Sequence, residues 1–256
     1  MVRVEFHCHT SLSFDATTSE RELADACAVC GINAVTITEH DVFVPREFRS
    51  LRANGIEVVH GCEFTCGRGV HIIGLFLDCD LQLSGQERGA VVSGIRAAGG
   101  LVYLPHPFKP ASGYFTQYAP DSLLDGVDMM ELYNGGFPGD PNLGRIRELA
   151  TAYRIRLVAG SDSHAVGHVG FYVSEYDVDP EEDLRDVFRN RDPRLLVDES
   201  RARAPRELNW VQRRAGYQWL VTRVPNELKR PVKTTLARVA GSMRGRPRGP
   251  VYRPIV

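Results

Sequence analysis

Apolar and polar positions alternate in short runs along the first 200 residues, and the period of the alternation switches repeatedly between two and about 3.6. Residues 2–7 read as a strand, and 19–30 as an amphipathic helix with Thr17 or Thr18 near its N-cap. The pattern then predicts a strand at 34–38, a helix at 45–54 and a strand at 56–61. Segments 62–66 and 70–77 flank the turn GRG, which fits a hairpin-like detour. Further on come a helix at 86–98, a strand at 101–105, a loop at 113–120, a strand at 127–133, a helix at 142–153 and a strand at 157–160. Segments 170–178 and 194–197 read as later strands around a helix at 180–189. Strands alternating with helices imply βαβ units and a largely parallel sheet. About seven such units favour a closed α/β barrel. An open doubly wound sheet is the alternative, but no glycine-rich phosphate loop follows the first strand.

Past residue 200 the pattern changes. Residues 206–222 carry Leu208, Val211, Ala215 and Trp219 at helical spacing, 233–243 could form one more short helix, and Pro225 and Pro231 interrupt the pattern. The end, 244–254, is rich in Arg, Gly and Pro and predicts disorder. Charge divides the chain at the same place. The formal net charge is −1, yet residues 201–256 hold 14 Lys and Arg against 2 acidic residues, and residues 1–200 hold 17 against 30. The expected organisation is therefore an acidic barrel domain over 1–200 and a basic, partly helical C-terminal extension over 201–256.

With 256 residues, 43% hydrophobic and 25% charged, the composition excludes a disordered or fibrous chain. No apolar run approaches the roughly 20 residues of a membrane span, and no secretory pattern opens the chain, so a cytoplasmic location is expected. The six cysteines, Cys8, Cys27, Cys30, Cys62, Cys66 and Cys79, all lie in the acidic part and are expected to be buried, inert thiols.

The chemistry lies in histidines and carboxylates at strand ends. His7 and His9 are two apart, so a strand would point both the same way and Cys8 the other. Asp162 and His164 repeat that spacing. His40 and His106 end two further segments, Glu63 follows another strand, and His71 opens HIIGL. In parallel barrels the C-terminal strand ends share one face, where such residues can converge. Neutral imidazoles with carboxylates suit zinc, iron or manganese. His60 and His168 have no such partner and read as ordinary histidines.

HCHTSLSFD, TEHD, GCEF, LPHP and GSDSH resemble, in order and spacing, the motifs of the PHP (polymerase and histidinol phosphatase) superfamily over roughly residues 3–200. The chain looks most like its small stand-alone metal-dependent phosphoesterases. The resemblance implies a distorted (β/α)7 barrel holding two or three divalent ions. It implies one ion on His7, His9, Glu63 and Asp162. Glu63 would bridge to a second on His71 and His106, and Asp15, His40 and His164 would hold a third. Asp15 stands where some relatives have His, an oxygen ligand that favours manganese or iron over zinc. Glu39 stands where the phosphoesterase motif usually has Asp, as an acid outside the ligand set.

Three divalent ions outweigh the charge of Asp15, Glu63 and Asp162, so the pocket should attract an anion, and phosphate fits best. Metal ions can supply hydroxide and clamp an in-line displacement, with Glu63 and Asp162 the carboxylates nearest the reaction. Lys109 is either a phosphate contact or a solvated loop lysine, and Asn134 either lines the pocket or caps a loop. Ser13 and Ser161 receive no role. The leading expectation is an enzyme that hydrolyses a small phosphorylated metabolite or nucleotide. The alternatives are a nuclease trimming RNA or DNA ends with residues 201–256 as substrate guide, and a metal-binding or interaction module without catalysis. For the basic extension itself, nucleic acid, lipid headgroups, packing against protein and a solvated tail all remain open.

Overall fold

In the computed structural model, residues 1–179, 181–202 and 249–255 are described. Seven strands close a barrel: β1 (Val2–Cys8), β2 (Ala34–Ile37), β3 (Glu57–Thr65), β4 (His71–Leu75), β5 (Leu101–Leu104), β6 (Met129–Asn134) and β7 (Arg156–Ser163). Each pairs with the next, and β7 pairs back onto β1. The helices α1 (Glu20–Cys30), α2 (Arg49–Ala53), α3 (Arg88–Ala97), α4 (Tyr114–Gln117) and α5 (Leu143–Tyr153) lie between strands, giving the distorted (β/α)7 barrel that the sequence implies. The distortion is β4, which runs antiparallel to both β3 and β5. This is the expected detour, since the turn at Gly67–Gly69 is too short for a crossover helix.

Local chemistry shifts several boundaries. α1 starts one residue late because Ser19, not Thr17 or Thr18, is its N-cap, in a reciprocal capping box with Glu22. Thr17 is occupied elsewhere, its backbone N–H donating to the His164 carbonyl at 2.9 Å. The predicted helix at 45–54 is helical only over α2, whose Ser50 N–H donates to the Glu20 carboxylate on α1 at 2.6 Å. The loop expected at 113–120 contains α4. Cys8, Cys27, Cys30, Cys62 and Cys66 are buried as expected, but Cys79 is exposed.

Three more strands extend the sheet beyond the closed barrel: β8 (Tyr172–Tyr176), β9 (Arg194–Asp198) and β10 (Tyr252–Pro254), each antiparallel to its neighbour. β1 therefore serves two strands along one edge. Val2 to Val4 pair with β8, whereas Phe6 and Cys8 pair with β7. α6 (Leu184–Asn190) seats Phe188 against Phe6 and Tyr176, with ring centroids 4.7 and 5.5 Å apart, across the bottom of the barrel. α7 (Glu199–Ala202) follows β9. The sequence predicts disorder over 244–254; Tyr252–Pro254 instead returns to the sheet as β10. The helices expected at 206–222 and 233–243 lie outside the described residues.

Candidate metal centre

All nine side chains singled out as ligands meet at the C-terminal end of the barrel strands. β1 delivers His7 and, just past its end, His9. The residue pairing of β1 slips on both sides, between Glu5 and Cys8 against β2 and between Phe6 and Cys8 against β7, and His7 takes a left-handed φ of 65°. Phe6 and His7, consecutive in sequence, thus both lie against Tyr103, with ring centroids 6.0 and 6.4 Å away. Simple alternation would have put one inside and one outside. His7 and His9 do converge, with ring centroids 5.1 Å apart, while Cys8 packs outward with Leu23 and Cys27. His40 forms a bridge to Glu63 beyond β2. β3 supplies Glu63, β4 opens with His71, His106 follows β5, and β7 carries Asp162 next to its last residue, Ser163, with His164 just past the strand.

Glu63 is the hub. Its Oε2 lies 3.1 Å from His7 Nε2, 3.1 Å from His40 Nδ1 and 3.3 Å from His9 Nε2. Its Oε1 lies 2.7 Å from His71 Nδ1 and 3.2 Å from His106 Nε2. One carboxylate thus faces two imidazole groups. Asp162 Oδ1 is 3.4 Å from His7 Nε2 and 3.5 Å from His164 Nδ1, and Asp15 Oδ2 is 3.5 Å from His164 Nε2 and 3.6 Å from His40 Nε2. Four triads are close enough to hold an ion: His7, His9 and Glu63; His7, His106 and Asp162; His40, Glu63 and His71; and His9, His40 and His164. His7, His9 and Glu63 fall within the first group implied by the resemblance, while the other three triads draw from more than one group, with His7, His9, His40 and Glu63 each in two triads.

Divalent cations fit this donor set. His9 Nε2 and Asp15 Oδ1 are buried without a hydrogen-bond partner, a costly state that a coordinated ion relieves. His40 Nε2 and His164 Nε2 face each other at 3.4 Å. Burial and the nearby His9 and His71 hold the His40 imidazole down to about 3, against the pull of Glu63 and Asp15. Burial and the Lys109 ammonium hold His106 down to about 4, so both are neutral and ready to coordinate at pH 7. Burial opposes charge on His164 as well, but Asp15 and Asp162 lift it to about 9. The carboxyl of Glu63 is resisted by burial, yet the surrounding imidazoles His40, His7 and His71 hold it well below its ordinary range.

Sequence reasoning missed the residues that orient these ligands. Glu131, buried on β6, accepts from His7 Nδ1 at 3.0 Å and the Tyr103 hydroxyl at 2.5 Å through one oxygen. Its other oxygen accepts the His106 backbone N–H at 2.6 Å and the Asn134 amide at 2.7 Å. Glu131 therefore leaves His7 Nε2 turned toward Glu63, the role of a carboxylate behind a ligating imidazole. Its signal was an acid inside the apolar strand MMELYN. Asn134 serves two partners, since its Oδ1 also accepts the Phe137 N–H at 2.7 Å. Ser13 has a role too: its hydroxyl donates to Glu39 at 2.5 Å and accepts the His40 backbone N–H at 3.0 Å, with His9 Nδ1 3.3 Å away. Lys109 Nζ reaches Asp162 Oδ2 at 2.9 Å and is partly exposed. Close approach demands glycine at 136 and 160, where a Cβ would lie 2.2 Å from Asp162 Oδ2 and 2.3 Å from Glu131 Oε1. His60 stays apart, its ring 5.7 Å from Phe48.

A family model for the PHP domain matches residues 5–191. The chain belongs to the PHP family. The centre is accordingly that of a PHP-type enzyme, built on the metal-suited clusters above. An uncharacterized protein of Methanocaldococcus jannaschii is 30% identical over 145 residues, 52% of this chain and 84% of that protein. A 5′-3′ exoribonuclease of Haemophilus influenzae is 32% identical over 81 residues, 30% of this chain and 29% of that protein. Among solved structures, the lesion-specific endonuclease EndoQ of Pyrococcus furiosus shares the fold with a TM-score of 0.58 at 18% identity, over 75% of this chain and 57% of that one. The PHP chain thus spans less than a third of the exoribonuclease and little more than half of the endonuclease. Among the described residues, no helix is long and apolar enough to cross a membrane.

Proposed function

We propose that this PHP protein hydrolyses phosphate esters of a small phosphorylated metabolite or a nucleotide, in the cytoplasm, with two or three divalent ions of manganese, iron or zinc. The observation that carries the reading is Glu63, whose two oxygens face separate imidazole groups in the manner of a bridging ligand. His7, His9, Asp15, His40, Glu63, His71, His106, Asp162 and His164 would hold the ions. Bound there, the ions supply Lewis acidity and a water of lowered pKa at neutral pH. The protein's own part is positional. Glu131 and Ser13 hold His7 and His9 with one ring nitrogen turned into the centre. Lys109 offers its ammonium to an anionic ester at the mouth, beside Asp162. Protein loaded with each metal in turn should release phosphate from a panel of monoesters. Release that is unchanged in both His7→Ala and Asp162→Ala would overturn the reading.

One observation favours a nuclease as the second reading. β8 runs antiparallel to β1 and β9 antiparallel to β8, so Asp198, at the end of β9, lies toward the metal end of the barrel. Tyr252 of β10 pairs with it. α7 and β10, which bracket the basic stretch 203–248 in the sequence, both adjoin Asp198, and such a stretch would recruit a polyanion. The exoribonuclease and endonuclease relatives agree with this reading. Deleting 203–248 should abolish any cleavage of polynucleotides and spare small esters; equal loss on both substrates counts against it.

A further inference from the structure

The ligand Asp162 sits in a left-handed backbone conformation, φ 49°. For a non-glycine residue this conformation is strained and persists only where the surroundings fix it. On one side Lys109 holds its carboxylate. On the other, the residue before it, Ser161, is fixed from outside the barrel. Ser161 N–H donates to Glu5 Oε1 at 3.1 Å, and its hydroxyl lies 2.7 Å from Glu5 Oε2 and 3.1 Å from the Tyr172 carbonyl. Glu5 itself, fully buried, accepts the Gly170 N–H at 2.6 Å. The Gly170 carbonyl accepts the hydroxyl of Tyr252 at 2.9 Å. Gly170 has φ +75°, and a Cβ there would lie 2.8 Å from the Tyr252 hydroxyl, so glycine is what admits the tyrosine.

We infer that Tyr252 and Glu5 are positioning residues for Asp162, through the chain of contacts Tyr252–Gly170–Glu5–Ser161. The C-terminal strand thereby helps set the geometry of a ligand on β7, although β10 is three strands away from β1 across the sheet extension. The inference rests on Asp162 being a metal ligand and is independent of which ester is cleaved.

The Glu5 carboxyl faces a backbone N–H at each oxygen, Ser161 at one and Gly170 at the other. Glu5→Gln keeps the shape but sets an amide NH2 against one of those donors in either orientation, whatever the protonation of the native carboxyl. Tyr252→Phe removes only the hydroxyl. Arg253→Ala breaks the neighbouring pair to Glu199 on the same strand without touching Gly170. In the full-length protein, Mn2+ affinity is measured by equilibrium dialysis, beside the thermal midpoint at saturating Mn2+. Outer partners of ligands typically control affinity about 10–100-fold. Glu5→Gln should weaken binding about tenfold, Tyr252→Phe about threefold, and Arg253→Ala not at all. Wild-type affinity in Tyr252→Phe, with or without a lowered midpoint, overturns the inference. So does an equal loss in Arg253→Ala, which would make docking of the strand the cause rather than the hydroxyl. Should Glu5→Gln fail to fold, Tyr252→Phe and Arg253→Ala still decide. Asp162→Ala is the control for the underlying reading: unchanged Mn2+ binding there removes the ligand itself, a failure distinct from that of the contacts behind it.

Discussion

The two ends of this barrel are built from the same strands on opposite terms. At the lower end, Val4, Phe6, Leu101, Tyr103, Met129 and Phe188 bury apolar surface against one another, and each stabilises the fold by leaving water. At the upper end, six imidazoles and two further carboxylates crowd around Glu63, and taking them from water costs free energy unless they are partnered. The lower end can hold the protein together without ions. The upper end carries a deficit that ions offset. Stability and activity should therefore separate along the barrel axis.

The sharpest way to break that comparison is to remove a ligand. His7→Ala or Asp162→Ala should lower phosphate release by about 10³-fold or more, the several kcal/mol that metal ions contribute, while circular dichroism stays that of the folded protein. Phe188→Ala is the converse. It should cost about 3–5 kcal/mol in urea unfolding and leave the metal content by elemental analysis unchanged. Stripping the ions with a chelator should cost about 3 kcal/mol, a fall of about 5–10 °C in thermal midpoint that manganese restores; an unmoved midpoint would show that the upper end carries no deficit.

The pH profile of the metal-free protein sharpens the comparison further. His40 and His106 are held down to about 3 and about 4, so the unfolded chain takes up their protons first, and the stability they contribute is lost as pH falls below about 6.5. His164 is raised to about 9. Its contribution is complete below about 6.5 and is lost as pH climbs toward 9. Midpoints should peak near pH 6.5, and manganese should flatten the alkaline limb by replacing the His164 proton. Phe188→Ala should lower this curve without changing its shape. A smaller effect on stability is expected for Ser13→Ala, which loosens His9 and should weaken metal binding about tenfold in dialysis with little change in midpoint.

How much of this was legible in the sequence follows from the kind of signal each residue carries. The candidate ligands announce themselves because imidazoles and carboxylates at the ends of apolar runs have few other reasons to be there, and all nine side chains meet. Their partition did not follow from spacing: His7, His9 and His40 each serve two triads, which only the slipped register at His7 and the antiparallel β4 determine. Glu131 and Glu5 were passed over because a lone acid within a strand has the same one-letter appearance whether solvated or buried. Ser13 is a common loop residue until Glu39 and His9 are beside it. β10 was hidden by composition, since a proline- and arginine-rich segment has no strand periodicity, and its pairing comes from the waiting edge of β9.

The double service of β1 has a consequence for how the molecule is made. Its partners β7 and β8 lie some 155 and 170 residues downstream, so the barrel cannot close while the chain is short, and contacts this distant in sequence slow folding. Asp162 and His164 leave the ribosome on the order of 10 s after His7 and His9 at ordinary rates of synthesis. For that interval the first histidines can form only loose, partial complexes with passing metal. The candidate centre is therefore complete only once β7 has been made and has paired with β1.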